Sequence, residues 1–232
     1  MLKVIEDKSK NTDALFINGA IGGMISAKEI KKVYRNEIDC ESYTREYGRA
    51  LGELAASVTE EEELTPLINV KSAPIKIEAS NFVLILARLL RVLNNDIFRG
   101  EKRSSAYISS EIGYMQLGAK QTGCFLIPGE LFPELWNGEF FSAEESSAQK
   151  EAHYTVLKDM TDCNHNFVIG LCNDELGYII PDNDFLINEK TPYIDSAKDI
   201  FGRNHYEETN STGPNTARTI LDEMQRLINS AK

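Results

Sequence analysis

The sequence predicts an α/β fold, a mixed sheet with flanking helices, and three observations carry that expectation. Short apolar or alternating runs bounded by turn residues are interspersed with apolar stripes at helical spacing. No period of repetition appears, and no Pro/Gly-rich linker divides the chain, so residues 1–232 are read as a single α/β unit. The composition, 42% hydrophobic and 26% charged, supports a buried core and excludes a disordered chain.

The elements follow in order. Ala14 to Gly19 is a short apolar run ended by turn residues and predicts a buried strand. Gly19-Ala20-Ile21-Gly22-Gly23 then allows a sharp turn before a helix beginning around Ser26 and Lys28. Tyr43, Tyr47, Leu51, Leu54 and Val58 form one apolar stripe on a helix, which the acidic run Glu60 to Glu63 and Pro66 end. Leu67 to Glu78 alternates as a half-buried strand does, and Phe82 to Leu93 predicts a short apolar helix with Arg88 and Arg91 at its wetter edge. Ser105 to Ile127 reads as two strands joined by a turn around Lys120 to Gly123. The polar Phe140 to Asp162 segment reads as a surface insertion, as does Ile187 to Asn204. Phe167 to Cys172 and Tyr178 to Ile180 are compact apolar strands, and Gly213-Pro214 opens a helix lined by Ala217, Ile220, Leu221, Met224, Leu227 and Ile228.

Charge narrows the function classes. Thirty-six acids against twenty-five bases leave a net charge of -11, which argues against nucleic acid as a partner, because phosphate-backbone binding needs clustered Lys and Arg. The apolar stretch from Phe82 to Leu90, closed by Arg91, falls short of the roughly 20 residues of a membrane span, so no transmembrane segment is expected. The amino terminus lacks an apolar signal region, which sets a cytoplasmic expectation. The four cysteines lack Cys-x-x-Cys pairing and read as reduced, mostly buried thiols; Cys163, His165 and Cys172 form only a loose potential metal set.

Three segments at strand ends are candidate chemistry: Pro128-Gly129-Glu130, Asn173 to Tyr178, and His205 to Ser211. Ligands of α/β sheets gather where strands run out into loops, so the expectation is a cleft of carboxylates and phenols. Taken locally, Glu130 also fits a first-turn helix position, and Tyr178 and Tyr206 also fit ordinary core packing. His153, His165 and His205 show no paired spacing. No phosphate-binding loop or nucleophile elbow is present, and the Gly19 to Gly23 turn lacks the third glycine of a dinucleotide fingerprint.

Gly170-Leu171-Cys172-Asn173 followed by Tyr178-Ile179, then Tyr206-Glu207 with Ser211 and Gly213-Pro214 before a helix, resembles the neutral/alkaline non-lysosomal ceramidase family. Pro128-Gly129-Glu130 is similar to that family's Pro-Gly-Glu segment. The resemblance implies that Glu130 and Tyr178 are zinc ligands and that Tyr206 is the catalytic tyrosine at the scissile amide carbonyl. The family's serine-bearing Asn-x-Gly-Asp-x-Ser-Pro segment corresponds to Ala20 to Ser26, with Gly23 at the Asp position and Ile25 at the serine position; Ser26, one residue on, is the candidate catalytic serine.

No histidine precedes that segment, whereas the family draws two zinc ligands from there. The resemblance therefore implies the second half of a larger catalytic domain, binding zinc weakly or not at all alone. Two readings follow. One is a zinc-dependent amidohydrolase acting on ceramide or another lipid amide, completed by an amino-terminal half. The other is a binding module of the same fold without metal or turnover. An incomplete domain would expose apolar faces, so a homo-oligomer is also expected. Members of the family are often secreted or membrane-associated, which the resemblance sets beside the cytoplasmic expectation.

Overall fold

The computed structural model describes residues 1–9, 13–24, 39–59, 61–94, 96–100 and 106–230. They gather into two compact units, one of residues 1–17 and 24–63 and one of residues 18–23 and 64–232.

The smaller unit pairs two helices, α1 (Leu2–Lys8) and α2 (Cys40–Ala55). Asp39 caps α2 by accepting from the Ser42 amide at 2.8 Å. A side chain at Gly52 would lie 2.7 Å from the Met1 carbonyl, so glycine is what lets the two helices approach. The expected apolar stripe is present on α2, yet Tyr47, Leu51 and Leu54 stay exposed, as does Val58 beyond the helix.

The larger unit is built on a five-stranded mixed sheet of β1 (Ile68–Ala79), β2 (Ile97–Arg99), β3 (Ala106–Leu117), β4 (Thr122–Leu126) and β6 (His165–Ile169). Its order is β1-β3-β4-β6, with β2 also on β3; every pairing is antiparallel except the parallel β4–β6. Alternation in β1 turns Ile75 and Ile77 inward onto Ile108 and Ile112 of β3 and Phe125 of β4. Helix α5 (Thr216–Asn229) closes this face with Ala217, Ile220, Leu221, Met224 and Leu227, the stripe its spacing predicted. The mixed sheet with flanking helices is thus observed.

Three expectations change. Ala14 to Gly19 joins no sheet; Leu15, Phe16 and Ile17 are exposed, and Asn18 offers one carbonyl to the Gly170 amide at 3.0 Å. An apolar run becomes a strand only where a neighbour supplies a ladder. The Phe140 to Asp162 segment is more than a surface insertion, because Val156, Leu157 and Met160 bury beside the core and Ser146 and Ser147 are buried as well. Of the cysteines only Cys124 is buried, Cys40 is exposed, and Cys163 and Cys172 lie between. The helix expected from Ser26 and Lys28 lies outside the described residues.

The element α3 (Phe82–Leu89) begins at Asn81, whose side-chain oxygen accepts from Val83 and Leu84, and no residue of α3 is buried. Two short additions complete the unit: the parallel pair β5 (Glu130–Leu131) and β7 (Tyr178–Ile179), and the hairpin β8 (Ala197–Lys198) with β9 (Asn204–His205). A single-turn helix, α4 (Pro133–Asn137), follows β5. No described helix is long and apolar enough to cross a membrane.

Candidate functional site

The three strand-end segments meet at one cleft of about 450 Å³ in the larger unit. Its floor comes from the β5–β7 ladder, where Glu130 stands in register with Tyr178 and the Glu130 amide donates to the Gly177 carbonyl at 3.0 Å. Register partners in a parallel pair project to the same side, so the carboxylate and the phenol face the cleft together. Glu175 and Asn210 form its rim, and Leu84 and Leu93, Ile97, Ile108 and Leu176 form its apolar walls.

Glycines let the backbone segments converge. A Cβ on Gly129 would lie 2.7 Å from the Gly177 carbonyl, and one on Gly170 would lie 2.5 Å from the Gly19 carbonyl. The glycine turn read from the sequence has a place in the same construction: the Gly22 amide donates to the Leu131 carbonyl at 2.8 Å, directly behind β5.

Asn81, fully buried, joins two walls. Its amide nitrogen donates to the Thr209 and Ser211 carbonyls at 3.0 and 2.9 Å while its oxygen caps α3, so the helix bearing Leu84 is tied to the segment bearing Asn210. Nothing in the local pattern around Asn81 announces this, since both acceptors lie about 130 residues away.

Burial pushes the Glu130 carboxyl above its usual range. Glu175 also moves up, first through the surrounding protein and then through the charges of Glu130 and Asp174, while the Gly177 amide, 2.7 Å from its Oε1, works the other way. The Tyr178 phenol is pushed up by burial, with Tyr206 and Glu130 adding to it, so it stays protonated at neutral pH. Tyr206 sets its ring edge-on to Tyr178 at 6.0 Å, with its hydroxyl buried. Ser26, the candidate catalytic serine, lies outside the described residues.

The zinc expectation is overturned. Among the described residues no group of three or more His, Cys, Asp or Glu could hold a metal ion. A catalytic zinc takes three or more protein ligands, and here Glu130 is joined by a phenol that holds its proton and by Glu175 at the rim. The same finding removes Cys163, His165 and Cys172 as a metal set. His205 is committed elsewhere, between Ser147 and Glu208. The reading as a zinc-dependent, ceramidase-type amidohydrolase therefore falls. Compared with protein-family models, curated proteins and solved structures, the chain matches none.

Three contributors escaped the sequence reading as individuals: Glu175, Asn210 and Asn81. The first two sit inside the polar segments read from the sequence, so composition marks the segments while only the cleft that they line marks the residues.

Proposed function

We propose that the larger unit is a binding module for a small amphiphile, a molecule with an apolar chain and an amine or amide head that donates hydrogen bonds. The observation that carries this reading is the in-register Glu130–Tyr178 pair opening, with Glu175 at the rim, into an apolar-walled cleft. An apolar chain gains about 25 cal/mol for each Å² it removes from water against Leu84, Leu93, Ile97 and Ile108. Glu130, lifted by burial, and Glu175, lifted by burial and then by the Glu130 charge, gain from an ammonium or an N–H donor and outnumber the Arg88 guanidinium that also lines the cleft, which disfavours a carboxylate head.

Calorimetric titration of the full chain with decylamine, N-decylacetamide and decanoate tests this. Decylamine and the amide are expected to bind and decanoate is not. Glu130→Gln is expected to weaken decylamine about tenfold, close to 1.4 kcal/mol, while leaving the fold intact. Equal binding of decanoate and decylamine, or decylamine affinity unchanged in Glu130→Gln, defeats the reading.

A further inference from the structure

Ser147, His205 and Glu208 form a chain of buried polar groups apart from the cleft. The Ser147 Oγ lies 2.8 Å from His205 Nε2, and Nδ1 of the same ring lies 2.9 Å from Glu208 Oε1. The spacing has the outline of a nucleophilic triad, but the serine faces the wrong way for acyl transfer. Its hydroxyl donates to Asp184 Oδ1 at 2.6 Å, and its own amide, the natural oxyanion donor, donates to the same oxygen at 3.0 Å.

That arrangement fixes the state of the imidazole. A hydroxyl has one proton, and a carboxylate only accepts, so with its proton on Asp184 the Ser147 Oγ is left to accept from Nε2. Glu208 Oε1 already accepts from the Leu186 amide at 2.9 Å and can only accept from Nδ1. Both ring nitrogens must therefore donate.

We infer that His205 is a proton-operated clasp: while doubly protonated it joins the Ser147 segment and the Asp182–Asp184 turn to the Glu207–Asn210 turn beside the cleft, and loss of one ring proton opens that join.

The charges around the ring agree. Glu208 faces it from its own turn, Asp199 Oδ2 stands 3.6 Å from Nε2, and Asp184 reaches it through Ser147. Arg203, from the β8–β9 hairpin, is the opposing cation; its Nε pairs with Asp199 at 2.5 Å and its Nη2 lies 3.7 Å from Asp184. Glu207 lines the adjoining cavity, and the Tyr193 phenol feels the Glu208 charge. Three carboxylates against one guanidinium leave room for a second cation. Burial works against the imidazolium, but Glu208, Asp184 and Asp199 outweigh it and raise its pKa. A pKa raised by folding contributes stability that is complete below about 6.5, the unfolded value, and is lost as pH rises through the folded value.

The test uses the full chain without ligand, so its outcome is separate from that of the amphiphile reading. Histidine carbon–proton NMR from pH 5.5 to 9.5, with His205 identified by its absence in His205→Gln, gives the midpoint. Hydrogen exchange at the Ser147 and Leu186 amides, which donate to the carboxylates of the clasp, gives the opening. The midpoint is expected above about 6.5. Across it, protection of those two amides, corrected for intrinsic exchange, is expected to fall at least tenfold relative to Tyr114 in β3. A midpoint at or below about 6.5, or an unchanged protection ratio, overturns the clasp. Should His205→Gln fail to fold, Ser147→Ala keeps the imidazole and removes its Nε2 acceptor; its His205 midpoint is expected to drop, and an unmoved midpoint overturns the proposal.

Discussion

Gly177 shows how narrowly the cleft is specified at single residues. Its backbone has φ +81°, and a Cβ there would lie 1.7 Å from the Asn210 carbonyl, so any side chain meets both strain and a backbone clash. Gly177→Ala is expected to destabilise the chain by about 3 kcal/mol or more, read from urea unfolding midpoints at constant slope. Glu130 carries a different kind of prediction. Because burial raises its carboxyl, it loses charge at a higher pH than an exposed glutamate does, near 4.3. Decylamine affinity is accordingly expected to begin falling above that value as the solution is acidified, and calorimetry at pH 7, 6 and 5 measures where. Tyr178 and Tyr206 illustrate the limit of local reading: each fits core packing by its neighbours in sequence, and their edge-on contact beside Glu130 exists only because two loops meet.

Among the elements, α5 was legible and so was the apolar run of β7, while β5 was not. The α5 stripe repeats over fourteen residues, long enough for periodicity to fix both type and buried face. Its interior position Met224, fully buried, should lose about 2–5 kcal/mol as Met224→Ala, measured by chemical unfolding. The two-residue strands have no period to read; each exists because the other supplies its hydrogen bonds. Helix α3 lies between these cases. Its apolar run announced a helix, but its attachment depends on Asn81, which serves at once as cap and as bridge to Thr209 and Ser211. Asn81→Ala should cost about 2.5 kcal/mol or more, the sum of a lost cap and two unsatisfied carbonyls, and should loosen the cleft wall that Leu84 supplies. Thermal unfolding together with decylamine titration separates the two effects.

Across the whole molecule, the titrating groups oppose one another in a way that sets a pH of greatest stability. Burial raises Glu130, Glu134 and Glu207, so their ionisation is less favourable folded than unfolded, and stability declines as pH rises through their values; His205 adds the same sign at higher pH. Asp199 moves oppositely: burial resists its charge, but Arg203 and backbone donors hold it at about 2. Asp182 is likewise lowered, burial being outweighed by Lys150 and Tyr154. Their contribution is complete above about 3.9 and lost below it. The melting temperature is expected to peak in the mildly acidic range, near about pH 5, and to fall toward pH 8. A maximum at pH 8 would contradict this balance.

The sequence by itself determined the class of fold, the half-buried alternation of β1, the helices α2 and α5, and the three polar segments from which the cleft is made. These are properties of spacing and composition, and they survive in any arrangement that buries the apolar faces. Tertiary structure decided which residues act together. It left Ala14 to Gly19 without a ladder, gathered no metal-holding group of three His, Cys, Asp or Glu among the described residues, and placed Glu130 beside Tyr178 and His205 between Ser147 and Glu208. The physical reason is common to all four. A ladder, a ligand set and a proton's location each depend on groups far apart in sequence but within about 3 Å in space, and local spacing carries no record of that distance.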